Sequence, residues 1–116
     1  MSTPITRKRI GKVVELKVEC IAEYKRVHDN GHPGVRDLLS KYGLRNFSIF
    51  LREIFGRHLL FLYGEYEGEN FAEDMERLQF EERDIAWHLQ CDPMQLSIDK
   101  SESEGWVDME SVYFNA

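Results

Sequence analysis

The chain has 116 residues, the length of one ordinary domain, and 42% of them are hydrophobic, which is enough to form a buried core. Fifteen Lys and Arg against 21 Asp and Glu give a net charge of −6, and this acidic balance argues against nucleic acid or an anionic membrane surface as a partner. The longest apolar run, at 58–64, is too short to span a bilayer, and no signal-peptide pattern is visible.

The cysteines and the known cofactor motifs restrict the chemistry further. Cys20 and Cys91 stand alone, with no CxxC motif and no Cys/His pairing at zinc spacing. We therefore expect two reduced thiols in a cytoplasmic protein rather than a disulfide. No Walker-type loop, GxGxxG, GxSxG or HExxH motif is present. The sequence accordingly predicts neither a metal nor a cofactor.

The predicted elements begin with a strand over residues 7–17, where β-branched residues and a short alternation occur. Residues 19–42 then show helical periodicity, interrupted at 30–31 by Asn-Gly. We expect Pro33 to lie in the first turn of a restarted helix and Gly43 to end it.

Two aromatic-rich runs follow, at 44–53 and 57–68. A short turn containing Gly56 joins them, which predicts a β-hairpin. Alternation along the first run places Phe47 and Phe50 on opposite faces of this strand.

A second helical region extends from Asn70 to about Gln90, in one or two pieces. Asn70 is the predicted N-cap, and Glu73 stands three residues on in the arrangement of a capping box. Residues 98–105 are polar and predict an exposed loop. Residues 109–116, MESVYFNA, predict a last strand.

The order βαββαβ predicts an α+β fold of the ferredoxin-like kind, with an antiparallel sheet and two helical segments on one face. We expect residues 1–116 to form a single domain. The strands carry apolar residues on both sides, and the apolar residues of the two sides include Phe47, Phe50, Phe61 and Tyr63. The sheet face away from the helices must therefore also be covered. The economical cover is a second copy of the chain, sheet against sheet, in a homodimer.

Tyr24 and His28 lie four residues apart on the first predicted helix, so their side chains project to the same side. A histidine titrates near neutral pH and can both accept and donate a proton. A phenol beside it can hydrogen-bond to it or bind a substrate oxygen. A pair at this spacing is more often part of a core edge, but the helix break after His28 favours a pocket.

Further candidates are weaker on the residues alone. Trp87, followed by His88, is either ordinary core or a platform on which the C–H face of a sugar ring could stack. Glu15 and Glu65 lie within apolar strands, where a carboxylate either faces solvent or is a buried acid with a shifted pKa. His32 has no neighbours in sequence that indicate a role.

Five segments in this order resemble the L-rhamnose mutarotase family, from about Gly11 to Phe114: EYKRVHDNGHPGV, GLRNFSIFL, HLLFLYGEYE, WHLQCDPM and MESVYFNA. The resemblance implies a mutarotase-like single domain that forms a dimeric α+β barrel. It also implies an isomerase of the aldose 1-epimerase type, which interconverts the α and β anomers of L-rhamnose or a related deoxysugar. The implied partner is a monosaccharide, and no cofactor is required.

The resemblance also implies roles by position. His28 would be the general acid/base, Tyr24 a substrate-binding phenol and Trp87 a stacking surface for the sugar. Opening of the sugar ring removes a proton from the anomeric hydroxyl and delivers one to the ring oxygen. His28 would exchange the ring-oxygen proton, and Tyr24, His88 or a water would serve the anomeric hydroxyl.

Three positions depart from the family's pattern. Phe47 and His88, both expected to contact the substrate, stand where the family usually has a tyrosine and a second tryptophan, and His32 stands where a tryptophan is often seen. These changes alter the pocket wall more than the acid/base position. Two alternatives stay open: another isomerase or oxygenase on the same barrel, and a non-catalytic dimeric ligand-binding module.

Overall fold

The computed structural model describes residues 6–116, and its centre is a five-stranded antiparallel sheet in the order β2-β3-β1-β4, with β5 also paired to β1. The strands are β1 (Thr6–Leu16), β2 (Leu44–Ile54), β3 (Arg57–Gly68), β4 (Gln95–Leu96) and β5 (Val107–Asp108). The helices are α1 (Ile21–His28), α2 (Arg36–Lys41), α3 (Phe71–Gln79) and α4 (Glu82–Cys91). This order is the predicted ferredoxin-like arrangement.

The alternation of the long strands gives the sheet an inner face, on which the helices pack, and an outer face. Val14 and Leu60 are paired across β1 and β3 and are buried on the inner face. Phe50 and Phe61 are paired across β2 and β3 on the outer face, next to the partly exposed Tyr63. The prediction that apolar residues occupy both faces is therefore confirmed.

The hairpin between β2 and β3 closes through a two-residue turn, Phe55-Gly56. Both residues have positive φ, 51° and 77°, as in the turns whose twist matches that of the flanking strands. The predicted turn at Gly56 is confirmed, whereas Phe55 is an unusual residue for this conformation and is fully exposed.

A β-bulge interrupts the pairing of β2 with β3. The register shifts between Arg45 and Ser48, so that Asn46 and Phe47 together face Gly64. Asn46 takes the left-handed conformation, φ 50°, which an asparagine tolerates better than most residues. The Phe47 ring covers Gly64 so closely that a Cβ atom there would lie 2.8 Å from Cδ2 of Phe47. Phe47 lies on the inner face with Ile49, two residues on, and the bulge accommodates Asn46 as the extra residue.

The first helical region consists of two short helices separated by the connection 29–35. Pro33 lies within this connection and not in the first turn of α2, so that part of the prediction was wrong. Gly34 has φ 57° and faces the indole of Trp87, and a residue in this conformation interrupts a right-handed helix. Gly43, with φ 91°, follows the end of α2 as predicted.

The second helical region is in two pieces, α3 and α4. The side chain of Asn70 accepts a hydrogen bond from the backbone N–H of Glu73, which confirms the N-cap. The other half of the capping box is replaced, because the Asn70 N–H donates to the Tyr66 hydroxyl and the Glu73 carboxylate pairs with Arg77. Within residues 6–116, no helix is long and apolar enough to cross a membrane.

The last strand was predicted in the wrong place. Residues 109–116 form no strand, and the partners of β1 on this side are β4 and β5. The backbone N–H of Met109 donates a hydrogen bond to the carbonyl of Gly11, which extends the pairing of β5 with β1 by one residue. Beyond it, Val112, Tyr113 and Phe114 are consecutive and exposed, so they supply no alternation that would bury one side of a strand.

Candidate active site

A cavity of about 370 Å³ lies between the inner face of β2 and the helices that cover it. The connection between α1 and α2 forms one wall, β2 forms the opposite wall, and α4 contributes a tryptophan. The lining residues are Val27, His28, His32, Pro33, Gly34, Val35, Arg36, Leu39, Ser40, Leu44, Asn46, Phe47, Ile49 and Trp87.

His28 is the last residue of α1 and lines this cavity. Its Nδ1 lies 2.6 Å from the backbone oxygen of Tyr24, and since a carbonyl can only accept, Nδ1 carries the proton and donates it. Burial lowers the pKa of His28, and the nearby charge of Arg36 lowers it further, against the opposing effect of the Tyr24 carbonyl. At neutral pH the imidazole is therefore uncharged, with an unprotonated Nε2 available as a base.

Two aromatic rings fix the orientation of the His28 imidazole. The Tyr24 ring stacks on it, with centroids 4.1 Å apart and an interplanar angle of 22°. Trp87 meets it edge-on, at 4.9 Å and 66°. The structure thus brings together His28 and Trp87, two of the residues predicted from the sequence, in one cavity wall.

Tyr24 lies behind His28 and is not among the residues that line the cavity. Its side chain is buried, and its hydroxyl accepts a hydrogen bond from the Gln95 amide at 3.3 Å. Burial raises the pKa of Tyr24 to about 12, so the phenol keeps its proton at neutral pH. In this structure its contact with the site is made through the His28 ring.

Of the other two residues predicted to contact the substrate, Phe47 lines the cavity and His88 does not. Phe47 lines the cavity on the β2 side, opposite the α1–α2 connection. His88 does not line it: its Nδ1 lies 3.1 Å from Asp92 and its Nε2 3.4 Å from Asp84, and half of its side chain is exposed. Asp84 itself is buried, and this burial raises the pKa of its carboxyl.

Besides His28, four polar residues line the cavity: His32, Arg36, Ser40 and Asn46. Only His32 was expected at the pocket wall, from its departure from the family's pattern. His32 faces Trp87 with a centroid distance of 6.2 Å, and its Nδ1 is buried without a hydrogen-bond partner among the described residues. Arg36 follows the α1–α2 connection, and Asn46 is the bulge residue of β2. Asparagine tolerates the left-handed conformation, so Asn46 gave a weak local signal of an irregular backbone, whereas Arg36 gave none.

The two strand carboxylates lie on the outer face and do not line the cavity. Glu15 pairs with Arg57 at 2.8 Å. Glu65 accepts hydrogen bonds from Asn46 and Tyr63, and these bonds, that of Asn46 first, lower the pKa of its carboxyl. Glu65 is therefore an ionised acceptor and not a buried acid.

The arrangement suits a small, hydroxyl-rich ring compound. Trp87 and Phe47 offer apolar faces, His32 and Asn46 offer polar groups, and His28 can transfer a proton. Within residues 6–116, no group of three or more His, Cys, Asp or Glu side chains is arranged to hold a metal ion.

A sequence model of a family described as L-rhamnose mutarotase matches residues 9–114. L-rhamnose mutarotase of Mannheimia succiniciproducens is 39% identical over 67 residues, which are 58% of this chain and 62% of that protein. That of Tolumonas auensis is 42% identical over 57 residues, 49% of this chain and 53% of that protein. The chain thus aligns with less than two thirds of the length of these curated relatives.

The fold has a similar solved structure. The crystal structure of L-rhamnose mutarotase FA22100 from Formosa agariphila superposes with a TM-score of 0.68, covering 94% of this chain and 99% of that one. The sequence identity is 21%, so this similarity concerns the fold alone. It supports the ferredoxin-like arrangement described above.

Proposed function

Because the chain belongs to the L-rhamnose mutarotase family, we propose that it is an isomerase that interconverts the α and β anomers of L-rhamnose or a related deoxysugar. The observation that carries the proposal is the state of His28. Its Nδ1 is engaged with the Tyr24 carbonyl, so Nε2 is left as the proton-transfer atom in a cavity walled by Trp87.

The reaction needs two coupled proton transfers. Ring opening breaks the bond between C1 and the ring oxygen, removes the proton of the anomeric hydroxyl and adds a proton to the ring oxygen. Closure on the opposite face of C1 reverses these transfers. We assign the ring-oxygen proton to Nε2 of His28. Opening uses the protonated imidazole, the minor form near neutral pH, which gives its Nε2 proton to the ring oxygen; closure uses the resulting neutral imidazole, which takes that proton back. Water serves the anomeric hydroxyl, because Tyr24 does not line the cavity.

The wall of the cavity sets which sugar binds. Trp87 provides the stacking surface, and Phe47 faces the sugar without the hydroxyl that a tyrosine would bring. The unpartnered Nδ1 of His32 offers a polar contact to a sugar hydroxyl after a small rotation of the ring. His88 lies outside the lining, so a contact with substrate would require its side chain to leave Asp92.

Exchange spectroscopy tests the activity directly. Saturation of one anomeric proton signal of L-rhamnose should reduce the signal of the other anomer faster with the protein than without it. L-fucose and further aldoses, measured in the same way, would rank the substrates. Binding of a sugar without accelerated exchange would contradict the proposal and favour the non-catalytic ligand-binding module.

We further propose that the working form is a homodimer joined through the outer face of the sheet. Phe50 is 64% exposed on this face, and Tyr63 is 38% exposed beside it. The tail residues Val112 and Tyr113 are 90% and 80% exposed and supply more apolar surface than a monomer needs. A twofold pair would bury both surfaces at once.

Sedimentation at micromolar concentration tests the dimer. We expect a mass twice that of the 13.7 kDa chain, and Phe50→Glu should shift the protein toward the monomer, because it places a charge in the interface. Leu89→Glu is the matched control, since Leu89 is 74% exposed but lies on α4, away from the outer face. A wild-type monomer at this concentration would contradict the proposal.

The remaining assignments concern the chain as a whole. We propose that residues 1–116 act as one mutarotase-like domain, which the family match over 9–114 supports. We propose the cytoplasm as its compartment. Cys20 and Cys91 are free thiols, in keeping with a reducing environment.

A further inference from the structure

We propose that Arg36, to which no role has been assigned, is a positioning residue that holds the end of α1 so that His28 meets the substrate in one orientation. The inference rests on the proposed function of His28. It concerns how that side chain is presented, and it assigns no proton transfer to Arg36 itself.

The guanidinium of Arg36 binds three backbone carbonyl oxygens around the α1–α2 connection. Nη2 donates to the carbonyl of His28 at 2.7 Å and to that of Asp29 at 3.1 Å. Nη1 donates to the carbonyl of His32 at 3.1 Å. A planar fork with fixed donor directions fits such a set, whereas a lysine ammonium would not hold all three in the same way.

The end of α1 needs such a partner. The last carbonyl groups of a helix receive no hydrogen bond from an N–H of the helix, and a cationic side chain near them is favourable. α1 has only eight residues, and after His28 the chain turns at once to an extended residue, Asp29, with φ −71° and ψ 169°. A helix this short is marginal without tertiary support. Arg36 therefore stabilises the turn that carries the proposed acid/base.

The same contacts hold together the cavity wall that the α1–α2 connection forms. His28 ends α1, Asp29 begins the connection, and His32 lies at its middle. Arg36 itself begins α2. Because one guanidinium spans these points, a change in the connection is transmitted to the His28 backbone and to the cavity lining that His32 provides.

Arg36 also influences the charge of the imidazole. The charges that act on the pKa of His28 are those of Arg36 on α2 and His32 in the connection, while Tyr24 on α1 and the uncharged Trp87 on α4 contact its ring. Tyr24 is a neutral phenol near pH 7, because burial raises its pKa to about 12. Asp29, the next residue along the chain, accepts a hydrogen bond from the N–H of Gly31 with its carboxylate. Arg36 is the permanent charge among the groups that act on His28, and it disfavours the imidazolium.

The test compares Arg36→Met with Arg36→Lys. The first removes the donors and the charge, and the second keeps the charge without the fork. We expect Arg36→Met to raise the pKa of His28, measured by an NMR titration of its imidazole, and to slow anomer exchange about 10- to 100-fold, as for a displaced catalytic group. Arg36→Lys should keep the low pKa of His28 but still slow the exchange.

Arg26→Met is the matched control. Arg26 is exposed on α1, the helix that His28 ends, and its guanidinium pairs with Glu23. The same loss of charge there should leave the His28 titration and the exchange rate unchanged. An unaltered His28 titration and rate in folded Arg36→Met would overturn the inference, as would an equal effect of Arg26→Met.

The two proposals fail in different ways. If wild-type protein does not accelerate anomer exchange, the proposed function is wrong, whereas the NMR titration still reports whether Arg36 controls His28. If Arg36→Met does not fold, Arg36→Lys decides: a slower exchange with an unshifted pKa supports positioning by the fork, and a wild-type rate contradicts it.

Discussion

Replacement of His28 by glutamine is expected to slow protein-catalysed anomer exchange by about 10²–10⁴-fold, the usual contribution of a positioned acid/base group. Glutamine can still donate a hydrogen bond to the Tyr24 carbonyl, as Nδ1 of His28 does. It has no group that gains and loses a proton near neutral pH. The variant therefore separates proton transfer from the packing of the side chain, and saturation-transfer NMR on L-rhamnose measures the loss.

His58→Gln is the matched control for this variant. His58 lies on β3 opposite Glu53 of β2, near the hairpin turn, and is not among the residues that line the cavity. We expect a wild-type exchange rate from it. A folded His28→Gln protein with undiminished exchange would remove His28 from the mechanism and leave the catalytic group unassigned.

Gly43→Ala is expected to lower the free energy of unfolding by about 2–5 kcal/mol. This is the sum of the cost of a left-handed backbone at a residue with a Cβ atom and the cost of an overpacked contact. Gly43 has φ 91°, and a Cβ atom there would lie 2.7 Å from the backbone oxygen of Glu67. This oxygen cannot move without disturbing the edge of the sheet, because the N–H of Glu67 donates to the Gly43 carbonyl at 2.8 Å. Urea denaturation at one fixed protein concentration measures the change.

Gly56→Ala separates the two contributions. Gly56 also has positive φ, 77°, but no atom lies within 4 Å of a Cβ atom built there. It should therefore lose only the conformational part, about 1–2 kcal/mol. Equal losses at the two glycines would show that the contact with Glu67 relaxes and that the backbone conformation alone decides.

The long strands could be predicted because their signal is local. In β3, Leu60 and Leu62 alternate with Phe61 and Tyr63, and each set lies on one face of the sheet. The hairpin turn at Gly56 and the N-cap at Asn70 depend on neighbouring residues in the same way. Such features follow from the residues next to them and need no knowledge of the rest of the fold.

The cavity could be predicted only in part. His28 and Trp87 were predicted from their residue types and the resemblance, and in the structure their ring centroids are 4.9 Å apart. Asp84 and Asp92 each stand four residues from His88, so these contacts could have been predicted from the helical spacing. Which side of α4 faces the cavity depends on packing and could not. Arg36 was missed because its partners are backbone carbonyls, which any sequence offers. The tail was misplaced because β1 pairs instead with the short β4 and β5.

The bulge in β2 serves the cavity wall and not the core. Leu44 and Ile49 are five positions apart, yet both lie on the inner face. In a regular strand an odd separation puts two residues on opposite faces, and here the bulge at Asn46-Phe47 absorbs the extra residue so that both stay inside. Deletion of Asn46 would leave Leu44 and Ile49 four positions apart, and a regular strand would then keep both on the inner face. The core therefore does not need the extra residue; its loss would instead remove the Asn46 side chain from the cavity wall and the hydrogen bond that it donates to Glu65.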